Sequence, residues 1–283
     1  MSTWETDVFE SLYAVSSRNG LTRPSAVRGN GFRLINMGEL FAHDRIGDME
    51  MERVLLNDRE LANMLVEEGD LLFARQSLVL SGAGKCSMVT YAGEPTTFES
   101  HIIRVRLDKK VADPNFYFYY FRSPYSGMTS IVTQGVQAGI RASDLARLRI
   151  KRPPVEEQRR IASILSAYDD LIENNRKRIG LLERAARLIY KEWFVRLRFP
   201  GHAGVKIKNG LPTGWERKPS DQVMDIGSGG TPRTHKPEYW DGDVPFFTPK
   251  DVTDSIYAWE TERTVTEEGV KNCNTRIYPK DTV

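Results

Sequence analysis

Three stretches of this chain carry residues in an order that could bind phosphate or activate a small molecule. The first is Gly82-Ala83-Gly84-Lys85-Cys86, a lysine behind two glycines. A nucleotide-binding P-loop needs another glycine where Val79 stands and a Mg²⁺-binding hydroxyl where Cys86 stands. ATP chemistry therefore fails here. The second is Asp113-Pro114-Asn115-Phe116, which has the outline of an amino-methylation loop with Asn115 in place of a second proline. No glycine-rich S-adenosylmethionine loop lies behind a strand upstream, so the segment reads more simply as a helix start, with Asp113 as cap and Pro114 at the first position. The third, Gly227-Ser228-Gly229-Gly230, lacks dinucleotide-loop spacing, and Thr231-Pro232 follows at once. The four histidines, His43, His101, His202 and His235, show no metal-ligand pairing. These residues predict a protein that is not itself an enzyme and holds no metal or cofactor.

A different chemistry remains open. Reading nucleic acid needs cations for phosphates and amides or guanidinium forks for base edges. Arg75, Gln76 and Ser77 follow an apolar run, beside the Ser81–Lys85 loop. There Gly82 and Gly84 would allow close approach of a phosphate backbone, with Lys85 as the charge. Gln134, Gln137 and Arg141 lie in a polar, glycine-containing stretch, and Ser100-His101 is a further candidate. For each residue taken singly, an exposed surface side chain is an equally good reading, and a lone histidine is more often structural.

The elements that would hold these residues are mixed. Phe32–Met37, Asp70–Arg75 and His101–Leu107 have strand character, the last alternating apolar and basic residues as a half-buried strand does. Ser81–Gly84 marks a turn, and an aromatic helix is expected from Asp113 to Phe121. After Arg152-Pro153-Pro154, acidic Glu156-Glu157 opens a much longer helix. Along it Ile161, Leu165, Tyr168, Ile172, Asn175, Ile179, Leu182, Ala186, Ile189 and Trp193 recur in steps of 4 and 3, a heptad seam roughly 50 Å long. A single helix cannot bury such a seam, so a second long helix must cover it. A lone seam Asn fixes register at a cost in stability. Packing on its own domain is the alternative for this helix. Phe199-Pro200-Gly201 ends it, and a polar linker runs to Trp215.

Composition is consistent with this picture. The chain of 283 residues is 40% hydrophobic and 28% charged, enough to build folded cores. Two cysteines, Cys86 and Cys273, argue against a disulfide scaffold and fit a reducing compartment. No apolar run is long enough to span a membrane and no secretory leader is visible, so a cytoplasmic location is expected. Net charge is only +2, but residues 147–198 hold fourteen Lys/Arg against seven Asp/Glu. That local +7 suits nucleic acid or, alternatively, a solvated helix face.

The two ends of the chain are similar to each other. Trp4-Glu5 recurs as Trp215-Glu216. Leu34-Ile35 with Gly38-Glu39-Leu40 recurs as Phe246-Phe247 with Lys250-Asp251-Val252. Glu68–Leu72 recurs as Pro279–Val283. Trp4 to Asp70 and Trp215 to Asp281 are both 66 residues apart. This predicts a duplicated domain on either side of a helical spacer. The second copy is expected to be incomplete, the chain a truncated product, and residues 215–283 poorly folded alone or completed by another chain.

At this point the sequence resembles the specificity subunit of type I restriction–modification systems. Pro153-Pro154-Val155-Glu156-Glu157-Gln158, with Ile161-Ala162, Leu165 and Asp169, is similar to the family's lead-in to its spacer helix. Trp215-Glu216, Asp225-Ile226, Gly230-Thr231-Pro232, Tyr239-Trp240 and Asp251-Val252 resemble the opening of its target recognition domain. Gln134-Gly135, Gln137, Ile140, Asp144-Leu145 and Ile150 resemble that domain's closing segment. The first copy departs from the pattern by lacking Thr-Pro and Tyr-Trp.

The resemblance implies an α+β fold. A mixed α/β target recognition domain (1–152) would be followed by a coiled-coil spacer helix (153–199), a linker (200–213) and an incomplete second recognition domain (214–283). It implies double-stranded DNA as ligand, with each recognition domain reading half of a bipartite site and the helices acting as a ruler. The partners implied are methyltransferase subunits using S-adenosylmethionine and translocase–nuclease (restriction) subunits using ATP and Mg²⁺, with no catalysis in this chain. A form with one domain and one helix would dimerise through the seam and read an interrupted palindrome. Arg176, Lys177, Arg184 and Arg187, opposite the seam, would meet a partner or flanking DNA, or simply water. The competing reading is a coiled-coil scaffold whose globular end binds protein.

Overall fold

The computed structural model describes residues 4–90, 93–252, 257–280 and 282–283. Its elements in chain order begin with β1 (Glu5–Val8), β2 (Tyr13–Asn19), β3 (Arg28–Ile35), α1 (Met37–Ala42), β4 (Arg45–Ile46), β5 (Glu52–Val54) and α2 (Asp58–Asn63). Next come β6 (Leu71–Ala74), β7 (Gln76–Ser77), β8 (Cys86–Val89), β9 (Thr96–Phe98), β10 (Ile102–Leu107) and α3 (Pro114–Arg122). Then follow β11 (Thr133–Gln134), β12 (Ala138–Gly139), α4 (Ala142–Ala146), β13 (Arg149–Arg152) and the long α5 (Val155–Tyr190). The remainder holds β14 (Ile207–Lys208), β15 (Leu211–Pro212), β16 (Trp240–Phe246), β17 (Arg263–Val265) and α6 (Glu267–Lys271). The chain divides into two compact units between Arg187 and Leu188. Among the described residues no helix is long and apolar enough to cross a membrane.

In the first unit a five-stranded sheet runs β2-β10-β6-β8-β4, antiparallel except where β4 meets β8. Both faces are covered. On β6, Leu71 and Phe73 join one core while Leu72 and Ala74 join another, as the two-residue period of a strand requires. The first core is aromatic. Asp113 Oδ1 accepts the Phe116 N–H at 3.0 Å and Pro114 takes the first helical position, so α3 starts where the sequence predicts. It lays Phe121 against Phe9 and Phe73, with ring centroids 4.6 and 5.1 Å apart. The second core lies under α1 and the three-stranded sheet β5-β3-β9.

Strand β10 departs from its half-buried expectation. Its basic residues do not face water. Arg104 is buried, donates to the Leu65 carbonyl at 2.9 Å and lies over the Phe98 ring. Arg106 grips the fully buried Asp70 with two hydrogen bonds of 2.7 and 2.8 Å. The alternation is a packing pattern in which Arg106 is neutralised by Asp70 and Glu67 and Arg104 is held by a carbonyl and an aromatic ring.

Helix α5 docks by its first two turns. Gln158 and Ala162 are buried, and Ile161 packs on the aromatic core. Beyond them the seam has no cover within the described chain: Leu165, Ile172, Ile179 and Leu182 are 39%, 48%, 57% and 68% exposed. The expected end at Phe199 is corrected. The α-helix stops at Tyr190 and passes into a π-helical turn, Lys191–Val195, closed by Arg196 N–H to the Lys191 carbonyl at 2.9 Å. A π-turn adds a residue to the repeat, and Trp193 lies within it.

The second unit has a small core among its described residues, Tyr239, Trp240 and Val265. Ile226, Val252 and Ile277 are exposed. Its local architecture repeats that of the first unit closely. In β3–β5 both Arg28 and Phe32 pair with Val54. In β16–β17 both Trp240 and Val244 pair with Val265. The same four-residue bulge therefore sits at equivalent places. After β3 a capping box joins Asn36 and Glu39, and after β16 one joins Thr248 and Asp251. Asn57 caps α2 after β5, and Thr266 caps α6 after β17. The repeat read from sequence is thus a repeat of structure. Its last element, at Asp281, lies outside the described residues.

Candidate nucleic-acid interface

Three short strands, β11-β12-β7, make an antiparallel sheet beside the main one. It is built around Arg75. The Arg75 N–H donates to the His101 carbonyl at 2.7 Å, its carbonyl accepts the Ile140 N–H at 2.9 Å, and its Nη1 donates to the Ser100 carbonyl at 3.3 Å. One residue thus ties three separated segments together. Gly139 suits this close approach, because a Cβ there would lie 3.0 Å from the Arg75 carbonyl oxygen, a tight contact.

The consequence is a cluster. Arg75, Gln76, Ser100, His101, Gln134, Gln137 and Arg141, far apart in sequence, sit on or directly beside this sheet. Gln134 and Gln137 are exposed across the hairpin tip, where the Gly135 N–H reaches the Gln137 carbonyl at 3.2 Å. Arg141 is exposed at the start of α4, and its guanidinium has no ion-pair partner among the described residues. His101 is half-exposed, its Nδ1 3.8 Å from Glu99 Oε2. Next to the hairpin an open concavity of about 540 Å³ is lined by Ser130, Thr133, Asp144, Arg147 and Arg149. Ile131 and Leu148 also line it, Arg147 is paired with Asp144 at 3.3 Å, and Arg149 adds a cation of the kind that contacts phosphate.

Two of the expected residues point elsewhere. Ser77 is buried, and its Oγ accepts the Val79 N–H at 3.1 Å. Lys85 Nζ donates to the Phe41 carbonyl at 2.7 Å and lies 3.4 Å from Asp44 Oδ1, at the C-terminal end of α1. Partial burial opposes ionisation of Asp44, but Arg122 and Lys85 outweigh it and hold its carboxyl below the ordinary range. The glycines also serve packing. An added Cβ on Gly82 would meet Ser77 Oγ at 2.3 Å, and one on Gly84, at φ +77°, would meet Met128 Sδ at 2.6 Å. The Gly82–Lys85 segment is therefore a buried corner and no phosphate cradle.

Other features escaped the sequence. Val136 at the hairpin tip is fully exposed, as are Leu78, Val79 and Leu80 in large part. A run of three apolar residues reads as buried strand, and nothing local signals otherwise. Several arginines of the first unit are held in ion pairs, among them Arg23 with Glu60, Arg28 with Glu52, Arg53 with Glu94 and Arg152 with Asp7. Near the small sheet, Arg75, Arg141 and Arg149 have no such partner among the described residues.

Comparison with known proteins agrees with the sequence resemblance. Residues 54–184 match the type I restriction modification DNA specificity domain. The type I restriction enzyme MjaIX specificity subunit of Methanocaldococcus jannaschii is 24% identical over 232 residues, covering 80% of this chain and 54% of the relative. The MjaVIII specificity subunit of the same organism is 30% identical over 170 residues, covering 59% and 38%. The EcoKI specificity subunit of Escherichia coli is 28% identical over 172 residues, covering 58% and 36%. This chain thus spans at most about half the length of these relatives. The crystal structure of a type I system S subunit from M. genitalium aligns with 94% of this chain and 62% of its own, at 15% identity and a TM-score of 0.49. By its matched domain, residues 54–184, and by these relatives, the chain is similar to the type I restriction–modification specificity subunits.

Proposed function

We propose that this chain reads DNA sequence for a type I restriction–modification complex, and that it does so through the face built on Arg75. The observation that carries the reading is the convergence of Arg75, Gln76, Gln134, Gln137 and Arg141 on one small sheet. Guanidinium and amide groups are the side chains that pair bidentately with guanine and adenine in the major groove. Ser100 and His101 complete the face, while Ser77 and Lys85 support it from inside.

In this reading the chain contributes recognition and no catalysis. Methyltransferase partners supply S-adenosylmethionine chemistry on adenine, and restriction partners supply ATP- and Mg²⁺-dependent translocation and cleavage. A second copy covers the seam. Its exposed Leu165, Ile172, Ile179 and Leu182 favour an antiparallel pair of α5 helices, with Asn175 near the middle fixing register. Two recognition domains at opposite ends would then read an interrupted palindrome.

The test is a binding titration on duplex DNA at ~50 and ~200 mM salt. Phosphate-anchored binding weakens by orders of magnitude across that range. A protein-binding scaffold would show no DNA affinity to lose.

A further inference from the structure

Where α5 leaves the first domain, one arginine holds it in place. Arg45 on strand β4 donates from Nη1 to Asp170 Oδ1 at 3.0 Å and from Nη2 to the Tyr119 hydroxyl at 2.7 Å. Tyr119, on α3, donates that same hydroxyl to Asp169 Oδ2 at 2.8 Å. The Arg45 Nη2 also lies 3.6 Å from Asp169 Oδ2. A sheet edge, the aromatic helix and the long helix are thus knotted at one point. Arg45 Nε is buried in that knot with no partner of its own among the described residues, although a surface arginine could leave all its nitrogens in water.

Stability does not account for the arrangement. Asp169 and Asp170 side chains are 42% and 68% exposed. Ion pairs so wet typically contribute less than about 1 kcal/mol. Geometry does account for it. The helix is already seated at Gln158. Asp169 lies eleven residues further on, and at ~1.5 Å per residue that is ~17 Å along the axis. Two anchors define a direction, whereas one leaves a pivot.

We infer that the Arg45–Tyr119–Asp169–Asp170 clamp sets the direction of α5 and thereby the number of base pairs between the two halves of the DNA site. The inference rests on the DNA-reading function proposed above. From Gln158 to Arg187 the helix runs ~44 Å, so ~1 Å of play at the clamp becomes ~2.6 Å at that end. One base-pair step is ~3.4 Å. Two such helices in a symmetric pair double the error, which then exceeds a step. Arg45 is a positioning residue: it has no need to touch DNA.

The test uses the full chain with Cys273→Ser, spin-labelled at Glu50→Cys and Arg184→Cys, both exposed in the first unit, and diluted with unlabelled chain. Arg45→Met and Asp169→Asn are compared with the parent. Pulsed electron resonance should give one narrow distance for the parent and a distribution at least twice as wide for Arg45→Met. Adenine methylation by the assembled complex should keep the same half-sites but gain sites one base pair longer or shorter. Arg45→Lys should recover part of both. An unchanged distance distribution overturns the clamp. A widened distribution with a single gap length overturns its role in spacing. If the parent complex methylates no bipartite site, the DNA reading fails and the spacing role with it, while the distance distribution alone still decides whether the clamp exists.

Discussion

The side-chain oxygen of Gln158 accepts the backbone N–H of Asp113 at 2.8 Å, and this contact joins the two helices that organise the first unit. Asp113 is the cap of α3, so its own N–H lies outside the helix and needs a partner. Gln158 is fully buried in the second turn of α5, and its Nε2 donates to the carbonyls of Pro153 at 2.7 Å and Val111 at 3.3 Å. One amide therefore satisfies three backbone groups, and an amide has both the acceptor and the donors this demands.

Gln158→Leu removes the partner of all three groups, of which the Pro153 contact is buried and the other two are part-buried. An unpaired buried group costs ~1–3 kcal/mol, so a loss of about 2 kcal/mol in urea unfolding of the first unit is expected. Gln158→Glu also fails, because a carboxylate cannot donate to two carbonyls. A change within 0.5 kcal/mol would contradict the assignment.

The exposed and inward-facing members of the proposed DNA face should separate experimentally. Arg141→Ala and Gln137→Ala should each weaken DNA binding about tenfold or more while leaving the melting temperature unchanged. Lys85→Met and Ser77→Ala should lower the melting temperature and leave the salt dependence of binding as it is. Anisotropy titrations and melts on the four variants check both halves.

Much of this division was legible in the sequence, and part was not. The helix start at Asp113, the long helix from Val155 and the repeat were readable, because capping residues, heptads and spacing are local or periodic signals. The gathering of Arg75 with Gln134 and Arg141 was anticipated only as membership of one surface, since strand pairing over some sixty residues leaves no local trace. Ser77, Lys85 and Arg104 were misplaced for one reason: their partners (a backbone N–H, the end of α1, the Leu65 carbonyl) are tertiary. The π-turn after Tyr190 is invisible to any fixed period.

Acid should unfold the first unit gradually. Hydrogen bonds from Arg28 hold Glu52 below its ordinary value of 4.5, those from Arg23 do so for Glu60 and those from Arg53 for Glu94. A carboxylate with a lowered folded pKa adds stability that is complete above the unfolded value and is lost as pH falls through the folded one. Melting temperatures should therefore be level from about pH 7 to 5.5 and decline below about pH 4.5. A decline on the alkaline side of that window would contradict the ion-pair account.

The two thiols should differ. Burial pushes the Cys86 thiol far above its ordinary value, and it sits at the start of β8, paired with Phe73. Only the thiolate reacts, so a disulfide reagent should leave Cys86 untouched in the native chain and modify it after denaturation. Cys273, half-buried, is then the only native reactive position. Two fast-reacting native thiols would mean that β8 is not packed as described.

The seam makes a separate demand. Leu182→Asp removes an apolar contact from the proposed helix pair but breaks nothing inside the chain, since Leu182 is 68% exposed. Sedimentation should show a dimer for the parent and a monomer for the variant, with equal melting of the first unit. A parent chain that stays monomeric at micromolar concentration would contradict the symmetric pair.

The most direct test joins the chain to the proposed methyltransferase partner and maps adenine methylation across a genome. The account predicts a stable complex and methylation at an interrupted palindrome, lost when Arg141 and Gln137 are replaced together. Methylation at two unlike half-sites would contradict the symmetric pair, and a complex that methylates no specific site would contradict the reading of DNA by this face.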